Sequence, residues 1–257
     1  NLDNIKKKDS LGKKGFYLLP NLLTTSALFA GFYSIVQAMN GAYDHAALAI
    51  FVALIMDGLD GRVARLTNTQ SEFGAEYDSL SDMVSFGVAP ALVIYVWALQ
   101  PLGKLGWIAA FIYCACAAFR LARFNVKLDI DSKQFFFGLP SPAAAALLAS
   151  FIWISFDNDI SGNEIFLGFF QMQWFALILT TFAALSMVTD IRYYSGKDIN
   201  LRKSQPFIAI LFIVLIFGVI SHNPAEIIFI AIMGYALSGY FMFFKKRLIS
   251  QSNKKND

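Results

Sequence analysis

The chain has 257 residues, 57% of them hydrophobic and 15% charged, with 26 Phe and a net charge of +3. An ordinary soluble domain is about 25% charged, so this chain has too little polar surface to cover a water-soluble core, and a mean hydropathy of +0.54 makes lipid its main solvent. Disorder, collagen-like repeats and a disulfide-rich secreted scaffold are excluded by the apolar content, the lack of a short repeat and the presence of only two cysteines.

Residues 1–19 hold five lysines and the apolar stretch GFYLL. They read as a cytoplasmic or interfacial segment at anionic headgroups, without the pattern of a signal peptide. A spanning helix needs about 20 apolar residues. The rest of the chain divides into eight such runs: Pro20 to Met39, Tyr43 to Leu66, Phe73 to Leu99, Lys104 to Phe124, Leu139 to Phe156, Gly168 to Ile191, Pro206 to His222 and Ala225 to Phe244. Connections such as MNGAYD, LQPLGK and SHNPAE carry the Gly, Pro and Asn that break helices. The expected fold is an all-α polytopic membrane bundle of about eight transmembrane helices. Residues 20–205 form its core, residues 206–244 add two C-terminal helices, and residues 245–257 form a basic cytoplasmic tail.

Charge orients the bundle. With the N-terminus inside, 20 of the 21 Lys and Arg fall on one side and Lys104 alone falls opposite, so the positive-inside rule predicts a cytoplasmic N-terminus and C-terminus. The acidic segment DNDISGNE then lies outside. Cys114 and Cys116, two residues apart on a helix, point to nearly opposite sides and read as packing residues. His45 and His222 have no second ligand at metal spacing.

Four acids break the membrane pattern. Asp57, Asp60, Asp78 and Asp82 stand in apolar helical stretches at the cytoplasmic ends of the second and third spans. A charge at the centre of a membrane helix costs roughly 2.5 to 3.5 kcal/mol, so four cost on the order of 10 kcal/mol unless they face one another, water or a cation. Spacings of three and four residues put each pair on one helical face, and a short turn joins the two helices. Convergent carboxylates repel one another, and hard divalent cations with oxygen ligands remove that penalty. The small residues Gly58, Gly61, Ala64 and Gly74 allow close approach of a helix or a ligand. Arg65, within a turn of the acids, suits a phosphate held beside cations. The alternative is a polar helix junction in which the acids pair with Arg62, Arg65, Arg120 and Arg123.

The stretch from Asp57 to Asp82 reads D-x2-D-G-x2-A-R-x8-G-x3-D-x3-D, with Asp57, Asp60, Gly61, Ala64, Arg65, Gly74, Asp78 and Asp82 in the fixed positions. It resembles the signature of the CDP-alcohol phosphotransferase family without a departure. PNLLTT from Pro20, SFGVAP from Ser85, RLARFN from Arg120, GLPSPAA from Gly138 and the MVTDIRYYS region are similar to the bacterial integral membrane branch that makes phosphatidylserine. The resemblance runs to about residue 205.

That resemblance implies transfer of a phosphatidyl group from CDP-diacylglycerol to the hydroxyl of L-serine, giving phosphatidylserine and CMP at the cytoplasmic face of the cell (inner) membrane. It implies that Asp57, Asp60, Asp78 and Asp82 bind two divalent cations, Mg or Mn, and that Asp82 is also the general base. Asn21, Leu22, Leu23, Thr24, Gly61, Arg65 and Ser71 would contact CDP-diacylglycerol, and a homodimer is implied. For the serine carboxylate, Arg120, Arg123 and Asn125 are candidates, although the arginines also fit as snorkelling anchors. A general base suits a weak hydroxyl nucleophile, and direct displacement needs no protein nucleophile. Glycerol 3-phosphate or inositol phosphate as acceptor stays open, because the signature reads only donor and metals. A cation-coupled transporter also stays open, because acids within membrane helices often mark ion pathways.

Overall fold

In the computed structural model, which describes residues 2–126, 135–160, 162, 165–166, 170–194 and 223–253, the apolar runs among those residues form seven helices. They are α1 (Leu2–Met39), α2 (Tyr43–Leu66), α3 (Glu72–Leu102), α4 (Lys104–Val126), α5 (Ser141–Asp157), α6 (Met172–Val188) and α7 (Pro224–Asn253). α3 is continuous but includes wider π turns at Met83–Val88 and Tyr95–Leu99.

Leu19–Met39, Glu72–Leu102, Lys104–Val126 and Pro224–Lys245 are long and apolar enough to cross a membrane. α2 has 24 residues, with Asp57, Asp60, Arg62 and Arg65 gathered near its C-terminal end. α5 and α6 have 17 residues each, about 25 Å at 1.5 Å per residue, short of a hydrocarbon core of about 30 Å.

The boundaries differ from the sequence reading in three places. Pro20, expected to open the first span, lies inside α1. The glycines before it cost a helix only about 1 kcal/mol each, too little to stop one. The sixth span, expected over Gly168 to Ile191, is helical only over Met172–Val188. Before it β3 (Phe170–Gln171) pairs antiparallel with β2 (Ile165–Phe166), and after it β4 (Arg192–Tyr194) pairs antiparallel with β1 (Phe135–Phe137). Runs such as FFF and RYY favour the pleated surface of a strand, and helical periodicity alone misses them. α7 runs past the expected end of the eighth span, through the basic cluster to Asn253. The seventh run, Pro206 to His222, lies outside the described residues.

α1 packs along α2, α4 along α6, and α5 is held between α2 and α7. α5 forms the centre: Ala144, Ala145, Leu147, Leu148, Ala149 and Ile152 are fully buried. The outer faces show the reverse chemistry. Phe29, Phe32, Phe111, Phe119, Ile230 and Phe241 are each at least 60% exposed, which suits a lipid surround. Buried hydroxyls are satisfied on backbone carbonyls, as in Ser34 to Ala46 at 2.7 Å and Thr180 to Ala176 at 2.7 Å.

Two glycines set close approaches. A Cβ at Gly31 would stand 2.6 Å from Ser85 Oγ and 2.7 Å from its Cα, so α1 and α3 meet almost backbone to backbone. Ser85 Oγ donates to the Ala27 carbonyl at 3.1 Å across the same seam. Gly138, at φ +77°, brings the β1 end against the Met187 carbonyl, where a Cβ would come within 2.2 Å. These contacts hold α1 against α3 and tie the β1–β4 ladder to the end of α6.

Candidate active site

The site is built on the α2–α3 hairpin. Thr67 ends α2, its backbone N–H and its hydroxyl both reaching the Val63 carbonyl, at 2.9 and 2.7 Å. Asn68 takes a left-handed conformation at φ 51°, one that Asn tolerates better than most residues. Ser71 then caps α3, its Oγ accepting the Gly74 N–H at 3.0 Å. This tight reversal sets the two acid pairs face to face.

Carboxylate oxygens of Asp57, Asp60 and Asp78 lie within 4.8 Å of one another. The Asp82 carboxyl comes within hydrogen-bonding range of Asp57. Thr24 of α1 donates its hydroxyl to Asp60 Oδ2 at 2.6 Å. Asp78 Oδ1 is buried with no hydrogen-bond partner among the described residues. Such an orphaned oxygen in an all-oxygen, multiply anionic cluster fits a hard divalent cation. Among the described residues, no ion pair within 4.0 Å joins any of the four acids to an arginine or lysine. The direct ion pairs of the polar-junction alternative are therefore not formed, and Arg123 instead pairs with Asp190.

A cleft of about 330 Å³ opens beside the cluster. α1 contributes Pro20, Asn21 and Thr24, α2 contributes Asp60, Gly61, Ala64 and Arg65, the turn contributes Thr69, Gln70 and Ser71, and α3 contributes Gly74, Ala75 and Asp78. Among the described residues, a Cβ built at Gly58 or Gly61 would meet nothing within 4 Å. Among the described residues neither glycine serves a contact with another helix, and Gly61 lies at the cleft. Thus five of the seven residues expected at the donor, Asn21, Thr24, Gly61, Arg65 and Ser71, line one cavity. Leu22, 62% exposed, and Leu23 do not line it.

The three serine candidates separate. Asn125 exchanges hydrogen bonds with Ser79 of α3, its Nδ2 donating to Ser79 Oγ at 3.0 Å. Arg123 pairs with Asp190, and its guanidinium stands 5.8 Å from the Phe137 ring centroid. Arg120 is different: Nη1 donates to the buried Ser141 Oγ at 2.9 Å, Nε is buried without an acceptor among the described residues, and Asp82 is within electrostatic reach. The sequence reading missed Thr69 and Gln70, which fall in the eight-residue gap of the signature where any residue is allowed. The polarity of TNTQS in so apolar a chain was the available signal.

Residues 17–182 match the family described as CDP-alcohol phosphatidyltransferase. The chain is similar to a CDP-diacylglycerol--serine O-phosphatidyltransferase of Helicobacter pylori, 35% identical over 93% of this chain and 97% of that protein. One of the same name from Mycobacterium leprae is 30% identical over 85% of this chain and 72% of its own. An archaetidylserine synthase of Methanothermobacter thermautotrophicus is 38% identical over 57% of this chain and 62% of its own. With its signature residues gathered on one hairpin and the family match covering more than half its length, the chain belongs to the CDP-alcohol phosphatidyltransferase family.

Proposed function

We propose that this protein transfers a phosphatidyl group from CDP-diacylglycerol to the hydroxyl of L-serine, giving phosphatidylserine and CMP. The observation that carries the reading is the convergence of Asp57, Asp60 and Asp78, with Asp82 behind them, at the edge of a cleft that also holds Gly61 and Arg65. The serine acceptor is supported by relatives named either for serine as acceptor or for a serine-containing product.

Asp57, Asp60, Asp78 and Asp82 would hold two divalent cations, Mg or Mn, which when bound neutralise charge on the pyrophosphate and on the departing CMP. Arg65 binds a phosphate oxygen from the cleft side. Gly61, with no side chain, lets the headgroup lie against α2. Asp82 takes the proton of the serine hydroxyl as its oxygen attacks the phosphorus that carries diacylglycerol, and the bond from that phosphorus to the oxygen of CMP breaks. Arg120 orients the serine carboxylate through its uncommitted Nε–H; Ser141 holds the guanidinium in place. No covalent phosphatidyl-enzyme is needed.

The reading extends to the membrane. Eight spans with both termini cytoplasmic put the Asp57 to Asp82 hairpin at the cytoplasmic face of the cell membrane. There the acyl chains of the donor stay in lipid, and serine arrives from water. The basic residue distribution supports this topology. A homodimer as the functional unit is what the family resemblance implies.

The test is CMP release from CDP-diacylglycerol by detergent-purified protein with serine, glycerol 3-phosphate or inositol phosphate, each with Mn, Mg or EDTA. Serine-dependent release that EDTA abolishes is the expected result. Release with another acceptor would overturn the serine assignment. No release with any acceptor, together with cation flux in vesicles free of CDP-lipid, would make the protein a transporter.

A further inference from the structure

Thr24 lies where three helices meet. Its hydroxyl is 2.6 Å from Asp60 Oδ2 on α2, and its backbone carbonyl accepts the Ser81 hydroxyl of α3 at 3.1 Å. All three residues are buried, with Thr24 and Asp60 each 4% exposed and Ser81 2%. Ser81 stands between Asp78 and Asp82 in sequence. One residue of α1 thus grips an acid of the first pair through its side chain and the helix of the second pair through its main chain.

The hydroxyl has one proton. It also lies 3.1 Å from the Pro20 carbonyl, but the contact to a carboxylate is shorter, and charge-assisted hydrogen bonds are the stronger kind. With its proton on Asp60, the hydroxyl has only lone pairs to offer to the cleft, a poor match for the anionic oxygens of a pyrophosphate. One turn further on, Ser85 and Gly31 continue the α1–α3 seam, so the seam does not depend on the Thr24 hydroxyl.

We infer that Thr24 is a positioning residue that fixes the Asp57 and Asp60 pair relative to the Asp78 and Asp82 pair, and so sets cation affinity, rather than a contact to the donor. The inference rests on the two-cation reading of the acid cluster. A partner that holds a ligating carboxylate tunes affinity because it fixes which oxygen is presented and at what angle. Loss of such a partner typically costs 10- to 100-fold in metal affinity. Thr24→Val removes the hydroxyl at nearly constant volume and keeps the carbonyl that Ser81 needs. Thr24→Ser keeps both.

The experiment measures Mn binding to detergent-purified full-length protein by electron paramagnetic resonance, beside kinetics at saturating Mn. Thr24→Val is expected to weaken Mn binding about tenfold, with the KM for CDP-diacylglycerol within about twofold of the parent, and Thr24→Ser is expected to restore affinity. Parental Mn affinity in Thr24→Val overturns the inference, and a raised donor KM beside it makes Thr24 a donor contact. If Thr24→Val elutes as aggregate, Ser81→Ala takes its place. That variant loosens α3 from Thr24 and is expected to weaken Mn binding; unchanged affinity there overturns the inference as well. Failure of the parent protein to bind Mn would remove the two-cation reading itself, a result distinct from a parent that binds and a variant that binds equally.

Discussion

Arg120 donates from Nη1 to Ser141 Oγ at 2.9 Å, tying α4 to the first residue of α5 while its Nε–H is left without an acceptor among the described residues. A buried donor left unpaired costs about 1 to 3 kcal/mol, a cost that a bound carboxylate would remove. Arg120→Lys keeps a positive charge but loses the planar fork that can bind Ser141 and a carboxylate together. The KM for serine is expected to rise about 10- to 100-fold, matching the roughly 1.5 to 3 kcal/mol of a hydrogen bond to a charged group. The KM for CDP-diacylglycerol should stay near its parental value. Steady-state kinetics with each substrate varied in turn decides this, and an unchanged serine KM removes Arg120 from the acceptor site.

Arg123 supplies the contrast. Its partner Asp190 has a side chain 83% exposed, and exposed pairs of this kind contribute about 0 to 1 kcal/mol. Arg123→Ala is expected to lower the thermal unfolding midpoint slightly and to leave the serine KM within about twofold of the parent. A large rise in serine KM would instead return Arg123 to the acceptor site.

Asp82 stands against Asp57 at the edge of the acid cluster, within electrostatic reach of Arg120, and is not among the residues lining the cleft. Asp82→Asn is expected to bind CDP-diacylglycerol nearly as the parent does and to lose about 10²- to 10⁴-fold in kcat, the range of general base contributions. Equilibrium binding of a CDP-diacylglycerol analogue beside turnover separates the two effects. Normal turnover in purified Asp82→Asn would refute the base assignment.

Gly61 and Gly31 test ligand contact against packing. Among the described residues a Cβ at Gly61 meets nothing within 4 Å, whereas one at Gly31 falls 2.6 Å from Ser85 Oγ. Gly61→Ala should fold with an unchanged or raised unfolding midpoint, because alanine is the better helix former, while its donor KM rises severalfold. Gly31→Ala should cost about 1 to 3 kcal/mol through overpacking and lower the yield of folded protein. A Gly61→Ala protein with parental donor KM would mean that the headgroup does not lie against α2.

The two acid pairs were legible in the sequence because spacings of three and four residues specify a helical face, and because carboxylates in apolar helices require an explanation. Other parts of the site depend on contacts that no local pattern encodes. Asn125 and Ser79 are 46 residues apart, and Arg123 and Asp190 are 67 apart. Only the folded bundle shows that these side chains are engaged with each other. Leu22 and Leu23 were grouped with Asn21 and Thr24 because they adjoin in sequence, yet a helix turns adjacent residues about 100° apart, so the cleft takes the outer two of the four. The β1–β4 ladder was hidden for a related reason: its two short strands fall in the connections between expected spans and pair across more than 50 residues.

Asp78 Oδ1 has no hydrogen-bond partner among the described residues, and without a cation its three neighbouring carboxyls would repel it across the α2–α3 hairpin. A cation that binds the folded state stabilises it by RT ln(1 + [L]/Kd), about 2.7 kcal/mol at a hundredfold excess over Kd. Mn is therefore expected to raise the thermal unfolding midpoint of the purified protein, and EDTA to reverse the rise. Asp78→Asn removes one negative charge while keeping an oxygen in place, so it should be more stable than the parent in EDTA and gain much less from Mn. That crossing of the two curves is specific to a repulsive, cation-binding cluster. A merely structural role for Asp78 predicts that the variant is less stable under both conditions, and this outcome would overturn the reading of the four acids as a cation site.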